Sequence, residues 1–162
     1  MPTSSRPLTY GLVLGAIAYV AVALLYTVFD ALTGRGFLFT VNQLGLAFIS
    51  GLGETAGLET TRAINVAAVA IYNLIHLVAA LTIGVVVTRL VEEAHRRPDR
   101  APTILLAIIA GFVLTIGFIG AATIEVRAAL PWWTIIAANT VAVAGGGVFL
   151  LRRYPTVFRR LT

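Results

Sequence analysis

The chain has 162 residues, 59% of them hydrophobic and 12% charged, where an ordinary globular protein is about half apolar and roughly a quarter charged. With a mean hydropathy of +0.93, this composition excludes a disordered tail, a nucleic-acid-binding domain and a cytosolic enzyme with a polar shell. Cysteine is absent, which removes disulfides, iron–sulfur clusters and thiol catalysis, and all twelve basic residues are arginine, so the net charge of +5 rests on groups that stay protonated.

Lipid is therefore the expected solvent, and a hydrocarbon core about 30 Å thick takes roughly 20 apolar residues in a helix. The first such run is Leu8 to Phe29, closed by Asp30. It is too long for the apolar part of a signal peptide and is read as an uncleaved anchor. Phe37 to Gly53 follows, with Phe37, Val41, Leu44 and Phe48 at helical spacing. Thr40, Asn42, Gln43 and Ser50 weaken it as a span, and about 15 helical residues would reach only about 22 Å. The expectation is a short interfacial or re-entrant helix, followed by a polar stretch from Glu54 to Arg62 in water or headgroups.

The second span is Ile64 to Thr88, ending at Arg89, and the third is Pro102 to Ile124, with proline at the helix start where its missing N–H costs nothing. Between them Glu92 and Glu93 stand four residues before Arg96 and Arg97, a favourable helical pairing that extends the second span beyond the membrane until Pro98 ends it. The loop around Glu125 to Pro131 is short, which makes the third and fourth spans antiparallel neighbours. The fourth is Trp132 to Leu151, before Arg152, its two tryptophans suited to an interfacial belt. The predicted fold is an all-α integral membrane protein: one transmembrane domain over residues 1–162, four helices in an antiparallel bundle, and the short helix between helices 1 and 2.

Arginine placement orients it. Arg6, Arg89, Arg96, Arg97, Arg100, Arg152, Arg153, Arg159 and Arg160 share one side, against Arg35, Arg62 and Arg127 on the other. Both termini are thus expected in the cytoplasm, with anionic headgroups as partners of the arginine-rich face. A five-span chain with its N-terminus outside would satisfy the rule equally, so segment length and the polar tetrad decide for four. Asp30, Glu54, Glu59 and Glu125 then face outside and are read as solvated loop charges, and Glu125 and Arg127 as the cap and anchor of the third span.

Helices in lipid associate through close packing of small residues. Gly11 and Gly15, continued by Tyr19 and Ala23, share a face of the first span. Gly117, Ala121 and Glu125 share one of the third, and Ala138, Ala142 and Gly146 one of the fourth.

Chemistry has few places to sit. Asn65, Tyr72, Asn73 and His76 cluster on one side of the second span, extended by Ala80 and Gly84, with His76 near mid-span. Unpaired polar groups are costly there, so this face should turn inward, toward Asn139 of the fourth span or Thr115 of the third. His76 is read as a neutral imidazole hydrogen-bonded in the bundle. Three functional roles compete with that. A haem ligand would want a second axial group, and His95 lies in the arginine-rich loop. A proton or quinone group would want ionisable neighbours, yet none of the spans has a mid-membrane carboxylate. A chlorophyll-type pigment would need only the one imidazole. No phosphate-binding glycine loop, H-E-x-x-H or G-x-S-x-G occurs, so an enzyme is not expected and no cofactor is required. The leading reading is a non-catalytic accessory subunit of a larger membrane complex, or a self-associating protein. The alternatives are an oligomeric small transporter or channel, and a haem- or pigment-binding redox protein using His76.

Overall fold

The computed structural model describes residues 6–50, 63–123, 130–155 and 157. Within them the chain forms five α-helices: α1 (Arg6–Leu32), α2 (Phe39–Ser50), α3 (Val66–Arg96), α4 (Ala101–Ala122) and α5 (Trp132–Arg153). One 3₁₀ turn, Pro98–Arg100, joins α3 to α4. Four of the helices are long and apolar enough to cross a membrane, and α2 is not. At 1.5 Å per residue its 12 residues span about 18 Å.

Sequence explains where these helices stop and start. Asn65 caps α3, its side-chain oxygen accepting the Ala68 N–H at 3.0 Å, which satisfies one of the four backbone donors a helix start leaves over. At its far end α3 runs past the apolar stretch on the expected pairs, Glu92 with Arg96 at 2.6 Å and Glu93 with Arg97 at 3.0 Å, and stops before Pro98. Between α1 and α2, Gly34 and Gly36 adopt φ of 67° and 91°, a backbone region other residues enter only at a steric cost.

Antiparallel packing of α1 on α3 forms the central seam. A Cβ on Gly11 would stand 2.5 Å from the Val85 Cα, and one on Gly15 would stand 2.6 Å from the Ala80 carbonyl oxygen and the Leu81 Cα. A Cβ on Gly84 would in turn strike the backbone of Gly11 and Gly15. Backbone thus lies directly on backbone, and only glycine fits. On its other side α1 meets α5, where Leu14 fills the space over Gly146 and where Ala138 and Ala142 are also buried. Tyr26 packs there with Leu130, Ile135 and Ala138. The glycine face of α1 and the small-residue face of α5 are therefore packing faces.

Helix α4 is peripheral. It touches the rest through one edge, Ile104, Ile108, Ile116 and Ile119, and through the Trp132 ring laid on Gly120. That last contact makes α4 and α5 the antiparallel neighbours the short loop implies. Around Gly117 there is open space, so the Gly117–Ala121 face packs on nothing within the described chain, while Leu114 and Phe118 are 71% and 75% exposed.

Helix α2 turns its polar side chains inward. Thr40, Asn42 and Gln43 are buried beside Phe39, Val41 and Ala47, while Phe48 is 58% exposed. The Asn42 side chain donates to the Ala63 carbonyl at 3.1 Å and accepts the Asn65 N–H at 2.8 Å. Residues 63–65 therefore stand where α2 begins, so the chain enters α3 at the end of the bundle where it left α1. This removes the five-span alternative.

One expectation is overturned here. Asp30 is not a solvated loop charge but fully buried. Its carboxylate accepts the Thr40 N–H at 2.7 Å and the Thr40 hydroxyl at 2.6 Å, and Arg35 approaches at 3.4 Å. The Arg35 guanidinium lies over the Phe29 and Phe39 rings at 4.6 and 4.8 Å. A carboxylate at the last turn of α1 thus caps the first turn of α2, where the helix dipole and free N–H groups favour negative charge. Glu54, Glu59, Glu125 and Arg127, and the polar stretch around them, lie outside the described residues.

Candidate functional site around His76

The polar residues of α3 separate into two places. Asn65 sits at the helix start and belongs to the α2 junction. Tyr72, Asn73 and His76 lie two to three turns deeper. The partner of this group comes from α1, not from α4 or α5: the Tyr19 hydroxyl donates to the Asn73 side-chain oxygen at 2.8 Å. The Asn73 amide spends a proton on the Val69 carbonyl, also at 2.8 Å.

Asn139 and Thr115 do not reach across the bundle. Asn139 donates to the Ile135 carbonyl and Thr115 to the Gly111 carbonyl, each one turn back on its own helix. Such back-bonding gives a polar side chain in lipid a hydrogen bond without any neighbouring helix. The six residues expected to form one cluster thus resolve into Asn65 at the junction, Tyr72, Asn73 and His76 at mid-bundle, and Thr115 and Asn139 on separate helices.

The His76 ring lies between two phenols. Its centroid is 5.2 Å from that of Tyr19 at an interplanar angle of 51°, and 5.7 Å from that of Tyr72 at 42°. These contacts set the plane of the imidazole, yet His76 makes no hydrogen bond among the described residues, contrary to the hydrogen-bonded imidazole expected. It is half-buried, on the span of an apolar helix, where an unsatisfied ring nitrogen is costly. Tyr19 is the residue that sequence reasoning placed only on the glycine face. Its signal was spacing: Gly11, Gly15 and Tyr19 step by four along α1, as Asn73, Ala80 and Gly84 occupy one side of α3, so a glycine seam brings the phenol opposite the amide.

At the other end of the seam a second aromatic group closes the bundle. Tyr10 meets Phe149 and Tyr154 edge-on at 6.2 and 6.5 Å, His95 meets Tyr154 at 6.0 Å, and Arg153 lies 4.8 Å over the Tyr10 ring. Burial pushes the Tyr154 phenol up from its ordinary pKa, with Glu92 and Tyr10 adding to the effect and Arg96 opposing it. Among the described residues no group of three His, Asp or Glu could hold a metal ion.

Four apolar helices of spanning length, a glycine seam and an inward-facing polar α2 define an integral membrane protein of four spans with a short helix set against its bundle. No family model matches the chain, and comparison with curated proteins and with solved structures finds no match.

Proposed function

We propose that the protein is a non-catalytic subunit of a larger membrane assembly, its termini cytoplasmic and its arginine-rich end against anionic headgroups. The observation that carries this reading is His76. Asn73, Thr82, Thr115, Asn139 and Thr140 each donate a hydrogen bond to a carbonyl one turn back on their own helix, while the His76 ring nitrogens make none among the described residues. A half-buried imidazole on a lipid-facing bundle gains most from a polar group on a neighbouring helix, because water is absent there. Helix α4, apolar and open along most of its length, offers surface for the same association.

Extraction from native membranes in mild detergent, followed by size separation and identification of co-migrating chains, tests the proposal. A defined larger complex that His76→Leu disperses is expected. A lone monomer in every mild detergent, with His76→Leu indistinguishable from the parent, would overturn it.

A second reading, a haem or pigment site, draws on the same imidazole. Tyr19 and Tyr72 hold its plane, as a ligand ring needs, and its nitrogens are not committed to other groups among the described residues. An absorption band in the purified protein that His76→Asn and His76→Leu both remove would favour it over the first.

A further inference from the structure

At the end of the bundle that carries Pro7, a cavity of about 220 Å³ lies between the first turn of α1 and the extended end of α3, lined by Pro7, Leu8, Arg89, Glu92, Glu93 and Arg96. Its charges are not equivalent. Glu92 is held by Arg96 and Glu93 by Arg97, each one turn on. Arg89, by contrast, makes no hydrogen bond or ion pair among the described residues. It follows Thr88 directly, at the level where α3 leaves its apolar stretch, which is the depth of lipid phosphates.

Below the cavity the wall turns apolar. Leu12 lies one turn below Leu8 on α1 and is 43% exposed, and on α3 Val86 is exposed one turn beneath Arg89. A polar cleft with one uncommitted guanidinium, opening onto exposed aliphatic side chains, has the two-part chemistry of a phospholipid: a phosphodiester above, acyl chains below.

The cleft also distinguishes headgroups. Two arginines and two glutamates line it, so its charges cancel and an anion gains little from the whole. A headgroup carrying both signs can use both. Each paired carboxylate keeps a second oxygen able to accept another donor. We propose that this cavity seats the headgroup of an ethanolamine-type phospholipid, its phosphodiester on Arg89 and its ammonium toward Glu92 and Glu93. A choline headgroup lacks the N–H donors for the second contact, and a glycerol headgroup lacks the positive charge.

The test is native mass spectrometry of the full chain released from nanodiscs containing equal amounts of phosphatidylethanolamine, phosphatidylglycerol and phosphatidylcholine. The parent protein retains phosphatidylethanolamine over each of the others by about tenfold, the equivalent of one charge-assisted hydrogen bond. Arg89→Gln loses about tenfold in retention of all three lipids, with circular dichroism unchanged, and Arg89→Lys restores it. Glu93→Gln keeps a bound phospholipid but loses the headgroup preference. Millimolar inorganic phosphate leaves the retained lipid in place. Equal retention of the three lipids, an Arg89→Gln variant that retains as the parent does, or displacement by inorganic phosphate would each overturn the proposal, the last assigning the site to free phosphate.

Discussion

Gly15→Ala tests the central seam. The new Cβ would stand 2.6 Å from the Ala80 oxygen and the Leu81 Cα, and both belong to the α3 backbone, which cannot rotate aside. Restoring the 3.4 Å of an ordinary contact means that α1 and α3 part by about 0.8 Å, and a gap of this size forfeits a quarter to a half of the dispersion attraction between facing atoms. Overpacking of this kind costs about 1–3 kcal/mol, and the better helix propensity of alanine returns up to about 1 kcal/mol. The net expectation is a loss of about 1–2 kcal/mol. Gly117→Ala on α4 is the control, because a Cβ there meets nothing within 4 Å; the same propensity gain then appears without the clash. Reversible unfolding in mixed micelles at rising SDS fraction, followed by circular dichroism, measures both. If Gly15→Ala unfolds at or beyond the parent midpoint, or if the two variants shift together, backbone contact at the seam does not govern the packing of α1 on α3.

Asp30→Ala should cost more than a surface charge does, about 2–4 kcal/mol in the same unfolding assay, because it strands the Thr40 N–H and hydroxyl and leaves Arg35 without its carboxylate; a loss under 0.5 kcal/mol would show the contact to be incidental. Asn42→Ala removes the Asn42 hydrogen bonds to Ala63 and Asn65 at the start of α3 and is expected to cost about 1–3 kcal/mol, with hydrogen exchange in residues 39–50 rising well before global unfolding. For topology, cysteines placed singly at Thr33 and Ile64 should label from the same side of the membrane and one at Pro98 from the other, in a background that has no cysteine of its own; labelling of Thr33 and Ile64 from opposite sides would restore a five-span chain. His76→Asn should leave helix content unchanged and move the unfolding midpoint by less than about 1 kcal/mol, since membrane hydrogen bonds average only about 0.6 kcal/mol and this ring makes none within the described chain; a large loss of stability would mean that its contacts with Tyr19 and Tyr72 carry the bundle.

Much of this architecture is one-dimensional information. A run of twenty apolar residues has one economical conformation in lipid, because each backbone N–H must bond within its own segment, so the four spans and their ends at Arg89, Pro98 and Pro131 can be read along the chain. The same holds for small-residue faces, which repeat at helical spacing, and for the Glu92–Arg96 and Glu93–Arg97 pairs, which need only their own helix. Three features were settled by tertiary structure. The burial of Asp30 depends on α2 folding back across the turn at residues 33–38 so that Thr40, ten residues on, meets it, a contact that hydropathy does not encode. The inward orientation of Thr40, Asn42 and Gln43 depends on where α3 begins, since the same residues that argue against a span also suit a helix with its polar side against the bundle and Phe48 outward. The partner of Asn73 depends on which helices touch. Thr115 and Asn139 were equally plausible by depth alone, but the glycines draw α1 onto α3 closely enough that Tyr19 arrives first, while Thr115 and Asn139 turn back to carbonyls on their own helices. Periodicity determines which face of a helix is special; only the packing of one helix on another determines what that face meets.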